Sequence, residues 1–312
     1  MNTKLIIIIG FSVLYALFEN DNFNLTSMKK SIAVLVSFLF VISMYSQNKV
    51  TDPEPKGMVF IPSGSFDMEM TINKETKKRH VTVDAFWMSN EITNGEFREF
   101  VDWAKNNPEK KLYQIKYNVT TVTDPVKGSM KDTMIRVIMP IDVSAISSEM
   151  TDPLLPENLS KDYKNYFTDK KYNDYPVVGV SFKLAEYFCI WKTDTENEKL
   201  REKGLPVIQA YRIPLETEWE YVAQQPIGKK DKSVPAEAFQ KVKAGDINDW
   251  GLNHFDDNVS EWVIQNWGGG SIIRGGSWKT ENSIAQRQFC DPNSKEPYIG
   301  FRIVRSYISG KK

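Results

Sequence analysis

Apolar positions along this chain fall into two regimes: continuous runs near the start, and spaced patterns after about residue 47. Residues 5–18 (LIIIIGFSVLYALF) and 31–43 (SIAVLVSFLFVIS) are the runs, both shorter than the roughly 20 residues of a spanning helix. Met28-Lys29-Lys30 sets a start and a positive segment before the second run, and a small polar tail, Ser43 to Gln47, follows it. That order is the syntax of an export signal. The expectation is translation from Met28, a targeting region over 1–46 cleaved near Ser46, and a linker over 47–56. An uncleaved double anchor is the alternative.

Beyond the linker, apolar residues recur with strand or helix periods. Residues 58–68 (MVFIPSGSFDM) read as a hairpin, with Pro62-Ser63-Gly64 as its turn. Residues 80–88 alternate as a strand. Thr93 followed by Glu96 forms a capping-box pattern, and Phe97, Phe100, Val101 and Ala104 keep helical spacing behind it. Residues 106–174 lose this regularity and are Lys-, Asp-, Asn- and Tyr-rich. They read as a long insertion holding a few strands, one at 134–139, rather than as a separate domain. Order returns at residues 175–180 (YPVVGV). Ser181 then caps a helix carrying Leu184, Ala185, Phe188, Cys189 and Trp191, and a short helix follows at 216–223. Residues 246–267 read as loop, and the remainder is Gly-rich. The pattern predicts an irregular, loop-rich α+β domain over 57–307 and a tail over 308–312.

Charge narrows the function. Forty Lys+Arg balance 40 Asp+Glu, so there is no cationic excess to bind a nucleic-acid backbone. Two His and two Cys, wrongly spaced, make no zinc motif. Export would place Cys189 and Cys290 in an oxidising compartment, where they read as one disulfide or as two buried thiols. Glu216, Glu218 and Glu220 look like a catalytic carboxylate cluster, but acids at the start of a short helix more often cap it or pair with Arg. His80 reads as a surface residue.

Several segments together resemble the formylglycine-generating, sulfatase-modifying factor domain. They are 57–68 (GMVFIPSGSFDM), 91–97 (EITNGEF), 175–182 (YPVVGVSF), 212–221 (RIPLETEWEY), 258–262 (NVSEW), 274–278 (RGGSW) and 300–302 (GFR). Each is weak alone; their order over about 57–305 carries the resemblance. The insertion ahead of Asp174-Tyr175-Pro176, with FCIWKTD after it at 188–194, is similar to the Bacteroidetes gliding-motility proteins of the GldK (PorK) and GldJ kind. No lipobox Cys follows the apolar run, a departure from those lipoproteins.

The resemblance implies a single domain with a C-type-lectin-like fold. It also implies chemistry: active members oxidise a sulfatase cysteine with copper held by two thiolates, soft ligands suited to Cu(I). The matching positions here are Thr280 and Ala285. The expectation is therefore a pseudoenzyme with no catalytic cofactor. Cys290 and Cys189 match structural half-cystines of some members, which implies their pairing. The family's calcium site falls near Asn258, Val259 and Glu261, with Asp256 and Asp257 nearby, so structural calcium is implied, through the oxygen ligands that cation takes.

The function implied is a structural or accessory part of the gliding-motility and type IX secretion machinery. Its place would be the periplasm or the periplasmic face of the outer membrane, and its partners other envelope proteins in homo- or hetero-oligomeric assemblies. Tyr113, Tyr117, Tyr163, Tyr166, Phe167 and Tyr172 are candidate partner anchors in the insertion; their plainer role is pinning it to the core. An alternative is a glycan- or peptidoglycan-binding module stacking sugars on Trp250, Phe255, Trp262, Trp267 or Trp278. A family enzyme with altered chemistry is another.

Overall fold

The computed structural model describes residues 52–72, 75–123, 130–150, 152–153, 155–227, 239–265, 271–280, 284 and 287–308. The apolar runs, Met28 and the cleavage region near Ser46 lie outside them. Residues Pro53–Tyr307 form one compact unit.

Its first strands are β1 (Met58–Ile61), β2 (Gly64–Ile72), β3 (Glu75–Val83) and β4 (Phe86–Glu91). The expected hairpin of β1 with β2 does not form. β1 pairs antiparallel with β4, Met58 opposite Ser89, and β2 pairs with β3, Gly64 opposite Val83. Pro62-Ser63-Gly64 is a corner between two ladders. It is packed too tightly for a side chain, because a Cβ on Gly64 would lie 2.1 Å from the Tyr221 hydroxyl. The strand expected at 80–88 is likewise two strands, ending at Val83 and resuming at Phe86.

Thr93 caps α1 (Asn94–Asn106) as its pattern predicts: its hydroxyl accepts from Glu96 N at 3.1 Å and Glu96 Oε2 accepts from Thr93 N at 3.0 Å. The insertion supplies a ribbon, β5 (Leu112–Thr123) with β6 (Met130–Ile141), then α2 (Val143–Glu149), α3 (Glu157–Ser160) and a 3₁₀ turn (Lys170–Tyr172). Ser181 caps α4 (Phe182–Glu202), its Oγ accepting from Leu184 N. β7 (Tyr211–Arg212) and α5 (Glu216–Ala223) follow. Then come β8 (Ser260–Ile264), β9 (Ser271–Arg274), β10 (Arg287–Phe289), β11 (Ile299–Gly300) and β12 (Arg302–Ser306). β8 corrects the loop reading of 246–267 over residues 260–264 alone, a central strand whose burial shows no alternation, while residues 246–259 are loop as read.

Two four-stranded sheets result, ordered β1-β4-β12-β7 and β10-β9-β8-β11. The last strand, β12, enters between β4 and β7, so the end of the domain completes its first sheet. One apolar cluster joins α1 to α4, where Phe97 stacks on Phe188 at 5.5 Å and Phe301 meets both edge-on. A second packs α5 on both sheets through Trp219, Val222, Val263, Ile272 and Val304. A third seats Tyr166 and Tyr172 of the insertion against Phe239 and Val259. These aromatics of the insertion are thus part of the core.

Candidate functional site

The resembling segments meet at buried charge. Glu261 on β8 and Arg302 on β12 are both 0% exposed. Arg302 Nη2 donates to Glu261 Oε1 and Nε to Oε2, each at 2.6 Å, and Trp219 Nε1 donates to Oε2 at 2.8 Å. The guanidinium also donates to the Ser89 and Asn253 carbonyls and lies 3.9 Å from the Phe255 ring centroid. Charges so deep are tolerable only when each polar atom finds a partner.

A second knot involves α5. Arg274 on β9 donates to Glu216 at 2.7 Å and to Glu220 at 2.8 Å, and Arg287 on β10 donates to Glu216 at 2.6 Å. Glu218 receives a two-pronged contact from Arg212 at 2.6 Å and caps α5 by accepting from Leu215 N. The three acids therefore cap and pair, as their sequence context predicts. They tie a helix to two sheets. The glycines of the Arg274-Gly275-Gly276 segment allow the close approach this requires: a Cβ on Gly275, whose φ is +82°, would meet the Phe255 carbonyl at 2.6 Å.

Beside the first knot, a cavity of about 500 Å³ opens between β4 and residues 241–244, with Glu91, Ser89, Glu96, Asp174 and Lys241 in its lining. Glu91 is 2% exposed. Its Oε2 accepts from Asn258 Nδ2 at 2.7 Å, and its Oε1 has no hydrogen-bond partner. Burial raises the carboxyl from 4.5 to about 8, with Glu261 and Asp257 raising it further and His254 and Arg302 opposing. Burial opposes charge on His254 too, yet a 2.7 Å bond to Asp257 and the field of Glu91 bring it from 6.5 to about 9. His254 and Asn258 adopt left-handed backbones, φ +61° and +59°, which fold this loop tightly behind β4. The Ser89 hydroxyl donates to the Asn90 carbonyl and accepts from Ile303 N, so no base activates it as a nucleophile.

The sequence carries no periodic or motif signal for the Glu91–Asn258 contact. Glu91 lies inside a resembling segment, but only the fold brings the 254–258 loop to it.

Thr280 stands where the first thiolate is expected. Its Oγ1 lies 3.0 Å from Ser277 Oγ in a turn where Ser277 also accepts from the Lys279 and Thr280 amides. A hydroxyl in this setting is no soft copper ligand. Ala285 lies outside the described residues.

The disulfide expected between Cys189 and Cys290 is not formed; both are free thiols. Cys189 points from α4 into the first apolar cluster and Cys290 packs at its margin. Burial pushes both thiols upward, Cys189 far above the usual thiol range, which keeps it a small apolar side chain.

The calcium residues do not fit that role. Both Glu261 oxygens are held by Arg302 and Trp219, so a cation would have to displace a guanidinium. Asn258 Oδ1 accepts from Gln240 N at 2.9 Å and its amide is engaged by Glu91. No group of three or more metal-ligating side chains occurs among the described residues.

The candidate anchors divide. Tyr166, Phe167 and Tyr172 are 1%, 4% and 5% exposed, so they pin the insertion and face no partner. Tyr163 is half-buried, its hydroxyl donating to the Phe239 carbonyl. Tyr113 is exposed. Tyr117 pairs in register with Arg136, its side chain outside the described residues. Phe255 and Trp262 are buried and Trp250 and Trp278 partly so, which leaves no open stacking pair among them; Trp267 lies outside the described residues. His80 is exposed and 2.9 Å from Asp67, as a surface residue should be.

No curated protein matches this sequence. The crystal structure of CarF aligns with 81% of this chain and 99% of its own, at 20% identity and a TM-score of 0.46. Treponema denticola variable protein 1 aligns with 80% of this chain and 94% of its own, at 14% identity and a TM-score of 0.38. Residues 44–307 match the sulfatase-modifying factor enzyme 1-like domain, and the chain belongs to that family.

Proposed function

We propose that this chain is a non-catalytic member of its family, a structural or accessory component of the gliding-motility and type IX secretion machinery. It acts by assembly with other envelope proteins, on the periplasmic side of the outer membrane. The observation that carries the reading is Thr280: the position that needs a thiolate holds a hydroxyl locked to Ser277. The surrounding chemistry supports it. Glu216, Glu218, Glu220 and Glu261 are each consumed by arginines. Three apolar clusters form the core and buried ion pairs cross-link it, with both cysteines free. The choice of machinery rests on the similarity of the insertion and its flanks to the gliding-motility proteins.

Incubating the full chain with Cu(I), oxygen and a cysteine-containing sulfatase peptide tests the catalytic half. The expected result is no formylglycine by mass spectrometry. Turnover of the peptide would overturn the reading.

A further inference from the structure

The insertion's ribbon is two-stranded, so among the described residues each strand keeps an outer edge, and that of β5 lies beside a groove. β5 pairs with β6 on one side only, and among the described residues no backbone hydrogen bond joins it to any other segment. Beside its base lies a groove of about 360 Å³, floored by α4. On the far wall is β7, the edge strand of the first sheet. That edge is already engaged by α4: Tyr211 N donates to Thr193 Oγ1 at 2.9 Å, and just before the strand Ile208 N donates to Asn197 Oδ1 at 2.8 Å. The open edge facing the groove is therefore β5.

The register makes this face apolar. Tyr113 lies opposite Pro140 and Ile115 opposite Ile138, so these four share one side of the ribbon. Tyr113, Ile115 and Ile138 are 48%, 45% and 55% exposed, and Leu205 and Val207 on the neighbouring loop are 50% and 54% exposed. The charge in the lining is acidic. Among the described lining residues Asp194 is exposed and Glu186 accepts from Gln114 Nε2 at 3.0 Å, whereas the lining cation, Arg212, is neutralised by Glu218. Lys192 lies over the Tyr211 ring and is not part of the lining.

We propose that this groove receives an extended strand of a partner protein, added to the free edge of β5, with apolar side chains alternating with lysine or arginine. The strand's backbone continues the ribbon, its apolar side chains enter beside Ile115, and its cations reach the exposed Asp194. An unpaired strand of this length is a ready template for such addition, and two strands alone are marginally stable in water. This inference rests on the assembly reading and supplies its docking mode.

The test uses the full chain and a fluorescent, acetylated decapeptide alternating valine with lysine, compared with one alternating valine with glutamate. Anisotropy gives affinity, and hydrogen exchange locates protection. The expected result is binding of the lysine peptide with slowed exchange of β5 amides. Exposed Asp194→Lys should weaken the lysine peptide at least tenfold and shift preference toward the glutamate peptide. Equal binding of both peptides, protection elsewhere, or no binding overturns the groove. Protection of β5 that appears with chain concentration and without peptide overturns it in favour of a second copy. None of these outcomes touches the copper result, so failure here and failure of the non-catalytic reading are separable.

Discussion

Burial holds the Glu91 carboxyl at about 8 and its neighbour His254 is held at about 9, so both keep protons in the folded chain that they lose earlier when unfolded. Such groups contribute stability that is full below the unfolded value and is lost as pH rises through the folded one. For Glu91 the window runs from 4.5 to about 8, and for His254 from 6.5 to about 9. Stability should therefore decline from mildly acidic to alkaline pH, with Glu91 alone of the pair acting below 6.5. Glu91→Gln keeps an acceptor for Asn258 and removes the ionisation. Unfolding free energy followed from pH 5 to 9 should fall less steeply in this variant, the difference being at most about 1.4 kcal/mol per pH unit within the window. Parallel profiles would contradict the assignment. The raised carboxyl follows from deep burial of an acid at the end of β4, a circumstance no local pattern encodes.

At the scale of elements, local signals proved readable and long-range pairings did not. Thr93 with Glu96, and Ser181 before Leu184, announce helices because caps act within one turn. The acids of α5 were legible as capping and ion-pairing groups, though their partners Arg274 and Arg287 lie on distant strands. Pairing of β1 with β4, rather than with its neighbour β2, depends on which strand comes to lie alongside it. The Pro-Ser-Gly sequence marks a change of direction without saying which ladder follows. The anchor reading of Tyr166, Phe167 and Tyr172 failed for a related reason: an aromatic in an irregular segment has the same composition whether it faces a partner or its own core.

Glu261 shows how elements depend on one another. It joins β8 to β12 through Arg302 and to α5 through Trp219. Glu261→Ala leaves a fully buried guanidinium without its counter-charge, a loss on the order of 3–5 kcal/mol. Because the carboxylate is consumed within the protein, thermal unfolding should show the same loss in calcium and in a chelator. A loss confined to calcium would contradict this arrangement and restore a metal role.

For the whole molecule, the ordered set of short segments made the family legible, since those segments are the strands, turns and buried charges that meet in one core. The candidate site was legible in one respect: Thr280 could be placed from its neighbours Gly276, Ser277 and Trp278. The cavity at Glu91 and the groove at β5 were not, because each is walled by segments far apart in the chain. What remains is a domain in which Glu216, Glu218, Glu220 and Glu261 are spent on arginines and in which Tyr113, Ile115, Ile138 and Met139 leave an exposed apolar patch on a ribbon. The proposed role is assembly without catalysis. Cross-linking mass spectrometry of the tagged full-length protein in its native envelope tests it. The expected result is recovery of gliding or secretion-machinery proteins, with cross-links concentrated in the insertion at 106–174. A protein recovered alone, without cross-linked partners, would contradict it.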